Sequence, residues 1–226
     1  MGRNLAIGDI HGCLTALTTL IEAVGPQHED TIITLGDYVD RGPDVRAVVD
    51  FVLDLRQRCN VVSLRGNHEI MMLDARDQQS WFGPWKQYGG EAALESYGGS
   101  FDGVPDEHLQ FLEHELVSHH ETDTHIFVHA NLDAEKALDA QSDAALYWRK
   151  YRKEVQHCSG KTMVCGHTAQ VTGLPRAHPH SICIDTWPYG EGWLSCLDAT
   201  SGTIWQANQK GEQRQLHLDQ LPPDDD

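Results

Sequence analysis

The chain has 226 residues, enough for one domain with a sizeable core, and a net charge of −17 from 34 acidic against 17 basic residues. Such a field repels polyanions, so neither a nucleic-acid scaffold nor an anionic membrane is expected as a partner. Six cysteines with no CxxC pair, no leader sequence and no apolar run long enough to span a bilayer point to reduced thiols in a cytoplasmic protein.

In chain order, Asn4 to Ile10 reads as a short strand that runs into Gly8-Asp9-Ile10-His11-Gly12. A helix follows, with Leu14, Leu17, Leu20, Ile21 and Val24 at helical spacing. Thr31 to Leu35 is a second strand, feeding Gly36-Asp37-Tyr38-Val39-Asp40-Arg41-Gly42-Pro43, and Val45 to Arg58 is a helix that buries Val48, Val49, Val52 and Leu55. Val61 to Leu64 is a third strand, ending in Arg65-Gly66-Asn67-His68-Glu69. Strand, loop and helix in repetition imply a parallel sheet whose loops share one edge, where ligand sites lie. Residues 70–123 break the rhythm and are expected as a helical insert, with Trp81, Trp85, Tyr88 and Tyr97 forming either a roof over the site or a satellite core. Strands then resume: His125 to Val128 ends in His129-Ala130-Asn131, and Thr162 to Cys165 ends in Gly166-His167-Thr168. Ile182 to Ile184, Trp193 to Leu197 and Thr203 to Gln206 read as short antiparallel strands. Residues 1–218 are expected as a single catalytic domain and 219–226 as a disordered acidic tail. The other histidines, His108 and His157 among them, fit no spacing and are assigned to the surface or to capping.

Five strand ends thus carry Asp9 and His11, Asp37, Asn67 and His68, His129, and His167. Carboxylate, amide and imidazole donors without a thiolate suit Mn, Fe or Zn in an open, catalytic site, Mn being our first choice. Six ligands are too many for one ion that leaves room for water. Two divalent cations sharing Asp37 resolve this: Asp9, His11 and Asp37 hold one, and Asp37, Asn67, His129 and His167 hold the other. Cations about 3.5–4 Å apart would clamp an in-line displacement at phosphorus. His68, beside Asn67, is the expected general acid for the leaving oxygen. Asp40 is expected to hydrogen-bond it, fixing its tautomer and raising its pKa. Arg41 would bind phosphoryl oxygens as a planar fork, with Asn67 alongside.

These motifs, Gly8-Asp9-x-His11-Gly12, Gly36-Asp37-x-x-Asp40-Arg41-Gly42, Gly66-Asn67-His68-Glu69, His129-Ala130 and Gly166-His167, resemble in order and spacing the phosphoprotein phosphatase branch of the calcineurin-like metallophosphoesterases. The resemblance implies an α/β four-layer sandwich of two mixed sheets flanked by helices. It also implies a dinuclear centre, direct attack by a metal-bridging hydroxide without a phosphoenzyme, and a second phosphate-binding arginine. Leu146-Tyr147-Trp148-Arg149 resembles the family's element for the last, which selects Arg149, with Arg152 as the alternative. Small bacterial and phage-type serine/threonine protein phosphatases are the nearest in pattern, since Asp40 and Glu69 depart from the related symmetrical dinucleoside tetraphosphate hydrolases. The expected substrate is a phosphorylated protein or peptide, or a small phosphoester, acted on by a monomer; hydrolysis of a dinucleoside tetraphosphate is the alternative. Trp187 stands where similar sequences carry Gly after Cys183-Ile184-Asp185-Thr186, a departure expected to reshape the pocket rim.

Overall fold

A computed structural model of the chain describes residues 2–152 and 156–222. Alternation of side chains along each strand builds the layers. In β1 (Asn4–Ile7), Leu5 and Ile7 face α1 (Leu14–Val24) and α2 (Val45–Arg58), while Ala6 faces the other way. In β2 (Thr31–Thr34), Ile32 faces the helices and Ile33 the interior between sheets. β5 (His125–Val128) and β6 (Thr162–Cys165) repeat this from the other side, since Phe127 and Val164 join Ala6, Ile33, Leu35 and Ile184 in an inter-sheet core. Ile126, Val128, Met163 and Cys165 turn outwards against Leu146, Tyr147 and Tyr151. A two-residue period with both faces apolar is what two stacked, covered sheets require.

The first sheet has β3 (Asn60–Ser63) at one edge, then β2, β1, β9 (Leu194–Asp198), β10 (Thr203–Ala207) and β11 (Gln213–His217). β1, β2 and β3 are parallel, and β9 to β11 are antiparallel. The second sheet runs β4 (His119–Glu121), β5, β6, β8 (Ser181–Cys183), β7 (Arg176–His178). The fold is therefore α/β, with two mixed sheets flanked by helices.

Several expectations are corrected. β8 pairs parallel to β6, not antiparallel, because β7 at the sheet edge supplies the reversal between them; it is antiparallel only to β7. β4 lies inside the stretch expected to be helical; its His119, His120 and Glu121 pair with Val128, Phe127 and Ile126. β7 and β11 are half-polar strands that the sequence pattern hid. His108 and His157 are buried: His108 bridges Tyr97 Oη (2.9 Å) and Asp50 Oδ1 (2.8 Å), and His157 Nε2 donates to the Lys136 carbonyl (2.8 Å). Leu218–Gln220 forms a 3₁₀ turn capped by His217, so the first residues expected in the tail are structured; residues 223–226 lie outside the described residues. No disulfide joins any of the six cysteines, and only Cys158 is exposed. Among the described residues no helix is long and apolar enough to cross a membrane.

The insert consists of α3 (Asn67–Asp77), α4 (Gln79–Trp85), a π-helical turn over Lys86–Gly90, α5 (Glu91–Ser96), and α6 (Asp106–Gln110) with its π-helical extension. Trp85 and Tyr97 are core, whereas Trp81 and Tyr88 are 49% and 60% exposed. The aromatic residues of the insert thus serve both expected roles, divided between them.

Candidate active site

The loops after β1, β2, β3, β5 and β6 meet at one edge. Backbone bonds set their register: Ile10 and His11 N–H donate to the Asp37 carbonyl (3.1 and 2.7 Å), and Gly166 N–H donates to the His129 carbonyl (2.7 Å). Glu69, fully buried, holds the second loop. Its Oε2 accepts from Gly66 N (2.8 Å) and Asp37 N (2.9 Å), and its Oε1 from Tyr38 N (2.8 Å) and Val39 N (3.3 Å). Glu69 thus supports the loop and the start of α3. Glycine is required at Gly66 and Gly166, where a Cβ would run into Asp37 Oδ1 and Asp9 Oδ1 respectively.

His11, Asp37, Asp40, Arg41, His167 and Trp187 are the non-glycine residues with positive φ among the described ones. The first five belong to the site. Such backbone is costly for L-residues and persists where the surroundings over-determine it. Trp187 (φ 64°) occupies a left-handed position, a conformation that glycine adopts without strain.

All six expected ligands gather around Asp37. His129 Nε2 lies 3.5 Å from Asp37 Oδ1, and His11 Nε2 lies 3.4 Å from Asp37 Oδ2. His129 Nε2 and His167 Nδ1 lie 2.9 and 2.8 Å from Asn67 Oδ1. The Asp9 oxygens accept the His167 N–H (3.1 and 2.9 Å). Donor atoms of Asp9, Asp37 and His129 fall within 4.8 Å of one another, as do those of His11, Asp37 and His68. The grouping differs from the expected division: Asp9 clusters with His129, and His68 joins His11.

Whether this set fits cations is decided by where the imidazole protons sit. His11 Nδ1–H donates to the Val39 carbonyl (2.9 Å), His129 Nδ1–H to Leu35 (2.8 Å) and His167 Nε2–H to Trp148 (3.2 Å). Each ring therefore presents an unprotonated nitrogen inwards, the arrangement that a carbonyl on the far ring nitrogen imposes on metal-binding histidines. The lone pairs of His129 Nε2 and His167 Nδ1 both face the Asn67 amide oxygen, which carries no proton either. Buried lone pairs in mutual contact need a cation between them, so the residues fit divalent metal ions. Burial and the neighbouring Asp185 and Asp37 push Asp9 well above the carboxylate range, and burial pushes Asp37 up to about 7.

His68 Nδ1–H donates to Asp40 Oδ2 (2.6 Å), leaving Nε2 facing the site. Asp40 thus fixes the tautomer as expected. Against the rise expected, burial, then the charges of His11 and Arg41, pull the His68 pKa well below the ordinary histidine value. The Arg41 fork reaches His11 Nε2 (2.8 Å) and His68 Nε2 (2.9 Å), and Tyr189 covers its guanidinium at 4.5 Å.

Arg149 is a correction. It pairs with Asp133 (2.6 Å), donates to the Leu132 carbonyl (3.2 Å) and does not line the cleft. Its neighbour Lys150 does, beside Asp37, Arg41, Asn67, His68 and His167, in a cavity of about 470 Å³. Burial dominates the titration of Asp37, His129, His167 and Asp185, and the positive charge of Lys150 also bears on each of the four. Trp81, Tyr88 and Trp148 (45% exposed) complete the rim. Sequence reasoning also missed Asp185, buried beside Asp9, and Tyr189; Asp185 lies in a quoted strand-end pattern like those of the ligands, which was its one signal.

The calcineurin-like phosphoesterase family matches residues 2–171. The chain is 39% identical over 87 residues to serine/threonine-protein phosphatase 1 of Salmonella typhimurium, a stretch covering 38% of each chain. It is 36% identical over 86 residues to the symmetrical bis(5'-nucleosyl)-tetraphosphatase of Legionella pneumophila, covering 37% of this chain and 29% of that one. The matched stretch thus spans well under half the length of these curated relatives. A putative diadenosine tetraphosphatase superposes with TM-score 0.66 at 20% identity, over 96% of this chain and 93% of that one. A cold-active protein-tyrosine phosphatase of a Shewanella species does so with TM-score 0.66 at 20% identity, over 96% and 81%. With the family matched across most of its length and its loops assembled into one buried His/Asp/Asn cluster, this chain belongs to the calcineurin-like phosphoesterase family.

Proposed function

We propose that the protein is a phosphomonoesterase acting on phosphoserine and phosphothreonine in proteins, with two Mn²⁺ ions in its site. The observation that carries this reading is the buried Asp40–His68 pair, whose Nε2 faces the cleft beside the Arg41 fork. An alkyl leaving oxygen needs a proton as the P–O bond breaks, whereas a phosphoanhydride leaving group is acidic enough to depart without one. A dyad built to deliver a proton is therefore worth more to a monoesterase.

Bound at Asp9, His11, Asp37, Asn67, His129 and His167, the two cations supply Lewis acidity and an acidified water. Arg41 and Lys150 grip the phosphoryl oxygens. Drawing the Arg41 fork onto the phosphoryl group releases His68 Nε2, which takes up a proton from solvent and passes it to the leaving oxygen while Asp40 holds Nδ1–H. The acidic surface favours basic phosphopeptides from the solvent. A cytoplasmic monomer with no membrane or nucleic-acid partner accords with the composition.

A second reading rests on Trp81, Tyr88 and Trp148, exposed aromatics on which an adenine could stack at the mouth of the same cleft. It makes the protein a dinucleoside tetraphosphate hydrolase. The test is kcat/KM of the Mn-loaded protein for a phosphoserine peptide and for diadenosine tetraphosphate. Preference for the peptide is expected; a preference of many-fold for the nucleotide overturns the first reading.

A further inference from the structure

The insert does more than roof the cleft. Trp85, at the end of α4, is 1% exposed, and its indole Nε1–H points at the Asp40 carboxylate, 3.0 Å from Oδ1 and 2.9 Å from Oδ2. The residue lies 45 positions along the chain from Asp40, and nothing in the family motifs includes it. We propose that Trp85 is a positioning residue for proton delivery: its indole N–H anchors Asp40, and through Asp40 it aims His68 at the leaving oxygen. This deepens the monoesterase reading and rests on His68 being the proton donor.

Three features support it. First, the contact is isolated from water: Asp40 is fully buried and His68 is 2% exposed. The carboxylate accepts the Trp85 N–H across both of its oxygens, and its Oδ2 also accepts the His68 Nδ1–H. Removing the first donor leaves Asp40 held by the imidazole that it is meant to orient. Second, indole is a donor only. It can neither take nor relay a proton, so a Trp here fixes a carboxylate and does nothing else chemically. Third, the indole is itself clamped. It stacks on Phe101 with centroids 5.3 Å apart, and Gly90 packs so closely that a Cβ there would enter the ring. The same segment holds the next residue of the turn as well. The Arg41 N–H donates to the Gly89 carbonyl (3.0 Å), and Gly89, at φ 107°, leaves no room for a Cβ against Arg41 Cγ. Residues 85–90 thus grip both Asp40 and Arg41, two consecutive residues in left-handed backbone (φ 69° each). A turn of that kind needs outside contacts to persist.

The test is Trp85→Phe, which keeps an aromatic ring and removes the N–H. Turnover by the Mn-loaded protein is measured on a phosphoserine peptide, whose alkoxide needs a proton, and on p-nitrophenyl phosphate, whose leaving group does not. General acid catalysis is worth about 10²–10⁴-fold, and a misaimed acid forfeits part of it. The expected result is a fall of about tenfold or more in kcat on the peptide, a several-fold smaller fall on the aryl ester, and KM values changed less than about twofold. In an Asp40→Asn background the same substitution is expected to add almost nothing, because its route of action is already cut. Equal losses on both substrates, or losses that add to those of Asp40→Asn, overturn the proposal. Should the variant not fold, the ¹⁵N-indole spectrum of the wild-type protein decides: a Trp85 Nε1–H that exchanges slowly and moves on Asp40→Asn supports the contact, and one exchanging like those of Trp81 and Trp148 overturns it. His68→Asn separates the two layers. If it shows no leaving-group dependence, the proton-donor reading and this proposal fall together; if it does and Trp85→Phe does not, only this proposal falls.

Discussion

Replacing Glu69 by Gln perturbs the site without touching a ligand. The four backbone N–H groups that converge on Glu69 come from Gly66, Asp37, Tyr38 and Val39, two to each carboxylate oxygen. An amide has one oxygen to offer. Its NH₂ would confront two of the donors, removing two bonds to a charged acceptor and leaving two buried N–H groups unpaired. At about 1.5–3 kcal/mol for each such bond, and with some relaxation of the loop, the expected loss is about 3–5 kcal/mol. With a urea m-value of about 2 kcal/mol/M, the unfolding midpoint falls by about 1.5–2.5 M. Because the loop carries Asp37, whose Oδ1 also accepts the His68 N–H (3.0 Å), Mn²⁺ affinity falls with it. Urea titration followed by tryptophan fluorescence, with metal binding by calorimetry, checks both. A midpoint shift below about 0.3 M together with unchanged Mn²⁺ affinity refutes the reasoning, since the loop would then hold its shape without this carboxylate.

Further outcomes follow from other contacts. His68→Asn is expected to retain both metals by elemental analysis and to lose about 10²–10⁴-fold in kcat on an alkyl phosphate; full activity there removes His68 from its role. Lys150→Ala is expected to raise KM for phosphate esters about tenfold, while Arg149→Ala changes it less than about twofold; the reverse order would restore Arg149 as the second phosphate ligand. Asp30 supports the start of β1 and β2. Burial pushes its carboxyl up, but the Arg3 side chain and the amides of Gln27 and Arg3 outweigh this and hold it at about 2. A depressed folded-state pKa stabilises above the unfolded value and is lost as pH falls from about 4 through about 2. Asp30→Asn is therefore expected to cost about 1–2 kcal/mol at pH 7, allowing for screening at the part-exposed Arg3, with the difference from wild type closing near pH 2; a gap that is constant with pH contradicts this pairing.

The legible part of the site was the part carried by strand ends. Asp9, Asp37, Asn67, His129 and His167 follow short apolar runs, and a parallel arrangement brings such ends to one edge whatever the details of the loops. The hidden part depends on chain direction where no period exists. Arg149 and Lys150 are adjacent, and whether one or the other enters the cleft is set by the irregular backbone after the π-helical turn of Ala144–Trp148, which no spacing encodes. Trp85 is apolar by type and sits in a segment without amphipathic rhythm, so its polar edge gave no signal; the Gly89-Gly90 pair that lets the segment approach Asp40 and Arg41 was visible but unassigned. β11 alternates exposed and half-buried polar residues at a sheet edge, which looks like loop in sequence. His108 reads as surface because its partners, Tyr97 and Asp50, lie on different elements.

The central claim is that Asp37 bridges two divalent cations held by the loops after five strands. Anomalous diffraction from Mn-loaded crystals tests it most directly. The account predicts two peaks about 3.5–4 Å apart with an Asp37 oxygen between them, His11 at one and Asn67, His129 and His167 at the other. A single peak, or two that do not share Asp37, would contradict it.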